Sequence, residues 1–162
     1  MAPQDVVAAT VPAADESQHE APNEAALRPI VWSEAFHMGD AAVDAEHRHF
    51  IDIVNRLNAA IRDHGDPADI AAICDSLVTD AAEHFASEEA AMARHGFGGL
   101  PAHRREHRRL LAFIRSEAAR VRIAAERADL VNGALAIKDA LLTHIFRVDV
   151  HYKTHFLESQ GR

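Results

Sequence analysis

The sequence predicts an all-α protein, an antiparallel up-down-up-down four-helix bundle with a disordered N-terminal tail. Four stretches between about Asp44 and Leu157 carry apolar residues at three- and four-residue intervals, the period of helices with one buried face. Helix-breaking residues gather between them, as His64-Gly65-Asp66-Pro67 and as Gly96, Gly98, Gly99 and Pro101. The connections are short, and short connections make consecutive helices antiparallel neighbours.

Residues 1–29 are rich in Ala, Pro, Glu and Asp, with few large apolar groups and no period. Such a segment buries too little surface to offset its ordering entropy, so a solvated tail is expected, and with it a possible handle for a protein partner. Residues 30–162 form the bundle. The first helix is expected from Asp44 to His64, with Gly65 in the C′ position and Pro67 in the first turn of the next. The second runs from Pro67 to His95, the third from Pro101 to Arg127 and the fourth from Asp129 to Leu157.

Bulk properties exclude several classes. With 162 residues the chain makes one domain, and a formal charge of −8 argues against nucleic-acid or anionic-membrane partners. No apolar run approaches the roughly 18 residues that span a bilayer, and the N-terminus lacks the positive and apolar regions of a secretory signal. A cytoplasmic monomer is the default expectation. The single cysteine, Cys74, lies among apolar residues and reads as an inert buried thiol.

Twelve histidines, dispersed along the chain, are the compositional oddity. The inward stripe of the first helix is His47, Phe50, Val54, Leu57 and Ile61; that of the second is Ile73, Leu77, Ala81, His84, Glu88 and Met92. The third gives His103, His107, Leu110, Ile114 and Val121, and the fourth Leu130, Ala134, Ile137, Leu141, His144 and Val148. Each helix thus turns at least one histidine inward. A lone inward histidine is usually a hydrogen-bonded packing residue, but five with carboxylates are another matter. Buried without partners they would cost about 1–3 kcal/mol each, against about 5–15 kcal/mol for a whole domain. A metal gives every imidazole lone pair an acceptor. The levels agree too, because the start of the first and third helices and the end of the second and fourth share one end of the bundle. Five imidazoles and two carboxylates exceed the shell of a structural zinc; imidazole with carboxylate suits iron, and carboxylates bridge pairs of ions.

The set His47, His84-x-x-x-Glu88, His103-x-x-x-His107 and His144-x-x-x-x-Asp149 resembles the hemerythrins, specifically the bacterial single-domain kind. Trp32, Phe36, Gly39, Asp44 and Asn55 around the first histidine, HFASEE with Met92, and HIFRVDVHY agree with it, over about residues 30–157. The resemblance implies that His103, His107 and His144 hold one iron and His47 and His84 a second. Glu88, Asp149 and an oxo or hydroxo group would bridge the two. The second iron would keep an open position for reversible dioxygen binding, for storage, delivery or sensing, and the protein would not be an enzyme. Phe50, Phe85, Leu141 and Ile145 are the candidate walls of the dioxygen pocket.

Two features sit awkwardly with that pattern. His144 and Asp149 are about 140° apart on an ideal helix, so both reach one centre only from opposite edges of the inward face or through a π-type bulge. Periodicity alone would favour His151; the resemblance makes His151 and His155 non-ligands. Ala140 stands where the family is expected to carry Trp, which could widen the pocket or admit water. His19, His37, His49, His64 and His95 are expected to be solvated. One rival reading takes His103-Arg-Arg-Glu106-His107 as the inverted zinc-peptidase motif, with Glu106 as general base, but it leaves five other candidates unexplained. A stronger rival keeps the iron pair and makes the protein an oxidase, a peroxidase or a nitric-oxide-responsive protein.

Overall fold

The computed structural model describes residues 24–161. Helix α1 spans Ala41–Arg62, α2 Pro67–Arg94, α3 Leu100–Ile123 and α4 Arg127–His144. One π-helical turn, Ile145–Asp149, joins α4 to α5, Val150–Ser159, so that the fourth rod of the bundle is built from three pieces. Among the described residues there is no strand, and no helix is long and apolar enough to cross a membrane.

The helix ends follow local chemistry. Asp40 and Asp66 cap α1 and α2 by accepting the amides of Ala42 (2.9 Å) and Ala68 (2.7 Å), satisfying donors with no intrahelical partner. Pro67 takes the first turn of α2, as expected. The left-handed residue after α1 is His64 (φ 56°) and not Gly65. Gly65 is needed one step later, where its amide bonds to Ala60 O at 2.7 Å and a Cβ would lie 3.0 Å from that oxygen. At the end of α2 the same motif does have glycine in the left-handed place, Gly96 (φ 66°), and Phe97 N bonds Met92 O at 2.9 Å. The third helix stops four residues short of the expected Arg127, which instead opens α4. No glycine or proline marks that turn. Arg127 sets it by donating to Ile61 O (2.9 Å) and Arg62 O (3.3 Å), carbonyls at the end of α1.

The expected tail boundary moves. Most of residues 1–29 lies outside the described residues, but Glu24–Leu27 is a 3-10 turn and Leu27 is fully buried in the main core. Lys138 Nζ holds the turn by donating to Ala26 O and Arg28 O, both at 3.0 Å. Asn55 clasps Ile30, accepting from its amide at 2.7 Å and donating to its carbonyl at 2.9 Å. Among the described residues the packing thus reaches back to Leu27, ahead of residue 30; a single apolar anchor backed by two polar clasps leaves no periodic trace in sequence.

Two of the apolar clusters among the described residues lie on either side of the candidate residues along the chain. The larger includes Phe50, Leu57, Leu77, Phe85, Ile114, Ile137 and Leu141; the smaller joins Met38, Val43, Ala91, Met92 and Tyr152 near one end. Along α2, His84 and Glu88 fall beside and beyond Phe85 and before Met92; along the fourth rod, His144 and Asp149 fall between Leu141 and Tyr152. A polar layer thus lies between two apolar ones, its side chains buried.

Candidate metal centre

The polar layer contains the seven residues singled out in sequence, and all are buried: His47, His84, Glu88, His103, His107, His144 and Asp149. Ligand atoms of Glu88, His103, His107, His144 and Asp149 all lie within 4.8 Å of one another. His103 Nε2 is 2.9 Å from His107 Nε2, and each is 3.2 Å from Glu88 Oε2. Asp149 Oδ1 lies 3.0 Å from His144 Nε2 and 3.4 Å from His103 Nε2. His47 and His84 form the other side, their ring centroids 4.9 Å apart, with His47 Nε2 3.6 Å from Asp149 Oδ2. The arrangement is three imidazoles on one side, two on the other, and carboxylates between.

Asp149 reaches this layer through the π-helical turn. A turn of wider pitch absorbs one extra residue, so the five-residue step from His144 to Asp149 closes on one face instead of overshooting it. Asp149 becomes fully buried, Val148 only half-buried, and His151 is exposed. The stripe read from sequence was right up to His144 and went out of phase at Val148 for this reason.

Charge and hydrogen bonding together describe a site with too many lone pairs and too few protons. Burial, and next the neighbouring His84, push His47 down to about 4. Burial, followed by His103, does the same to His144, also to about 4. Burial alone would raise Glu88, but hydrogen bonds from His103 and His107 hold it well below the usual carboxylate range. Burial and then the charge of Glu88 push Asp149 far above that range. Six buried atoms here have no hydrogen-bond partner: His47 Nδ1 and Nε2, Glu88 Oε1, His144 Nε2, and Asp149 Oδ1 and Oδ2. At about 1–3 kcal/mol each, such atoms would together cost about as much as a domain's whole stability. Imidazole–metal bonds are about 2.0–2.1 Å, so two such nitrogens at right angles on one ion are about 3 Å apart, the separation of His103 from His107. The donor set fits metal cations.

The sequence did not disclose what supports these residues from behind. His84 Nδ1 donates to Glu46 Oε2 at 2.8 Å, and Ser87 Oγ donates to Glu46 Oε1 at 2.7 Å. His107 Nδ1 donates to Glu89 Oε1 at 3.0 Å, and Arg104 Nε holds Glu89 Oε2 at 3.0 Å. Hydrogen bonds from His84 and Ser87 outweigh the burial that would raise Glu46 and leave it below its ordinary value. Each of these supports is one residue away from a candidate ligand, a spacing that no periodicity reveals.

Aromatic rings close the layer. Phe85 stacks on His107 with centroids 4.1 Å apart and planes 15° apart, and Phe50 meets the His84 ring at 5.1 Å. Leu141 is buried in the same apolar cluster as Phe50 and Phe85, whereas Ile145 packs with Phe36 and Ile51. Two histidines expected to be solvated are engaged: His95 Nδ1 meets the Tyr152 hydroxyl at 2.7 Å, and His37 Nδ1 meets Asp44 Oδ2 at 3.0 Å. Asp44 also accepts the Met38 amide at 2.6 Å, fixing the approach to α1. His155 donates from Nε2 to His95 O at 2.8 Å, away from the cluster. Glu106, the general base of the peptidase reading, is outside the cluster of ligand atoms and pairs with Arg109 Nη1 at 2.7 Å.

Comparison with known proteins agrees with this geometry. The family model "Hemerythrin HHE cation binding domain" matches residues 38–155. A myohemerythrin of Riftia pachyptila is 33% identical over 125 residues, 77% of this chain and 92% of that protein. A bacteriohemerythrin of Ralstonia nicotianae is 41% identical over 86 residues, covering 53% of this chain and 59% of that protein's length. A bacteriohemerythrin of Methylococcus capsulatus is 27% identical over 124 residues, 76% of this chain and 93% of that protein. The matched span contains every residue of the buried polar layer, and the chain belongs to the hemerythrin family.

Proposed function

We propose that the protein binds dioxygen reversibly at a non-haem di-iron centre. His103, His107 and His144 would hold one iron, His47 and His84 the other, and Glu88 and Asp149 would bridge them. The observation that carries this reading is the unequal donor set, three imidazoles facing two across buried carboxylates, with six polar atoms that hydrogen bonding leaves without partners. An iron pair bound there would supply the two electrons of reversible dioxygen binding, and the side with two imidazoles offers fewer protein donors than the side with three.

The chain's own part is to orient and to exclude. Glu46 and Glu89 take the Nδ1 protons of His84 and His107, which leaves the Nε2 lone pairs aimed at the centre. Phe50 and Phe85 cover the imidazoles and keep water from them. Leu141 adds to the dry wall beneath, and Ile145 backs the π-helical turn against Phe36 and Ile51. The apolar clusters on either side limit the water that reaches the buried layer, which favours release of dioxygen over its reduction.

One observation favours a second reading, turnover of dioxygen as an oxidase or peroxidase, or a response to nitric oxide. An open groove of about 470 Å³ between α3 and α4 runs past Ala140 to His144, with Leu110 and Phe113 on its far wall. A path for water or a reductant on that side would shorten the life of the oxygenated protein. The deciding experiment loads the protein with ferrous iron without air, then exposes and deoxygenates it repeatedly. A visible absorption band that returns with each cycle supports carriage. Permanent oxidation in the first cycle favours turnover.

A further inference from the structure

We infer that Glu46 is a positioning residue that fixes the ring tautomer of His84 and sets the donor strength of the two-histidine side of the centre. The inference rests on the proposed ligand roles of His47 and His84. Both oxygens of Glu46 are engaged by α2, Oε2 by His84 Nδ1 at 2.8 Å and Oε1 by Ser87 Oγ at 2.7 Å, so the plane of the carboxylate is fixed. A carboxylate only accepts, so Nδ1 carries the proton and Nε2 is left as the bare donor atom. Glu46 immediately precedes His47. One dipeptide of α1 thus supplies a candidate ligand and the outer partner of a second candidate on the neighbouring helix.

The other supported imidazole shows why Glu46 matters more. Glu89, behind His107, shares its charge with the Arg104 guanidinium at 3.0 Å, which weakens its pull on the imidazole proton. The donors on Glu46 are an imidazole and a hydroxyl, so more of its charge is passed to the ring it holds. His47, the companion on that side, has neither ring nitrogen hydrogen-bonded. The electronic character of the His47–His84 side therefore depends on one carboxylate, and that side is the one with fewer protein donors in the proposed function. Because the Glu46 side chain is 33% exposed, its substitution leaves the core packing alone.

Long-range 1H–15N spectra of the metal-free, 15N-labelled protein read the tautomer directly, and cobalt(II) titration of the same samples reads the donor strength. Wild type should show His84 protonated at Nδ1. E46A should shift His84 to a mixture or to the Nε2-protonated ring and weaken uptake of one of two cobalt ions by about 10–100-fold. E46Q, whose amide oxygen still accepts, should keep the tautomer and show a smaller loss. E83Q, an equal charge change on an exposed neighbour in the same helix pair, should match wild type. An unchanged His84 tautomer in E46A, or equal cobalt affinity in E46A and E83Q, overturns the inference. Uptake of fewer than two metals by wild type would count against the di-iron reading instead, and the tautomer comparison would still decide the role of Glu46.

Discussion

The candidate metal centre is expected to cost the metal-free fold stability, and His47 lets that cost be measured. Its ring is fully buried and neither nitrogen has a hydrogen-bond partner. Two such atoms cost about 1–3 kcal/mol each, and leucine fills a similar volume with no polar atom. Metal-free His47→Leu should therefore be more stable than metal-free wild type by about 2–6 kcal/mol near neutral pH. The gap should widen in acid. His47 is held at about 4 in the folded protein against 6.5 when free, so between those values the unfolded chain binds the extra proton. The wild-type fold keeps its full stability above pH 6.5 and loses about 1.4 kcal/mol per pH unit from this group as pH falls toward 4. His144, Glu88 and Asp149 titrate in both proteins and cancel to first order. Urea denaturation in chelator, followed by circular dichroism at several pH values through that window, measures both effects. Adding ferrous iron without air should reverse the order, because only wild type gains binding free energy. A metal-free wild type more stable than the variant, or a gap that ignores pH, would refute the reasoning.

Other substitutions separate the site from its scaffold. His84→Ala and Glu88→Ala should abolish uptake of at least one iron per chain, while His151→Ala, at an exposed position, should retain both ions by metal analysis. Leu27→Ala should destabilise the protein by about 2–5 kcal/mol in urea melts without changing metal content, because it removes a fully buried anchor of the apolar core and none of the candidate ligands. The Cys74 thiol is fully buried, and burial pushes it up to about 11, so a disulfide reagent near pH 8 should label it only after denaturant is added.

The fold was legible because each rod carries an amphipathic stripe and the first two breaks carry glycine and proline. The burial of the seven candidate residues in one layer was legible as well, six through their place on those stripes and Asp149 through the family pattern alone. Periodicity argued for the wrong neighbour, His151, because a π-helical turn adds a residue without leaving a compositional mark. The turn before Arg127 was missed for a similar reason: nothing local ends α3, and the arginine that fixes the turn bonds to carbonyls of α1, far away in sequence. Leu27, Glu46 and Glu89 belong to the same class. Their roles arise from single tertiary contacts, and a lone anchor or a residue beside a ligand looks in sequence like any surface position.

The proposed function requires two metal ions in one buried layer. Ferrous iron titrated into metal-free protein under strict exclusion of air, followed by metal analysis after desalting, tests this most directly. The account predicts saturation at two irons per chain, with loss of stoichiometry in Glu88→Ala. Saturation at one, or full uptake in the absence of Glu88, would contradict it.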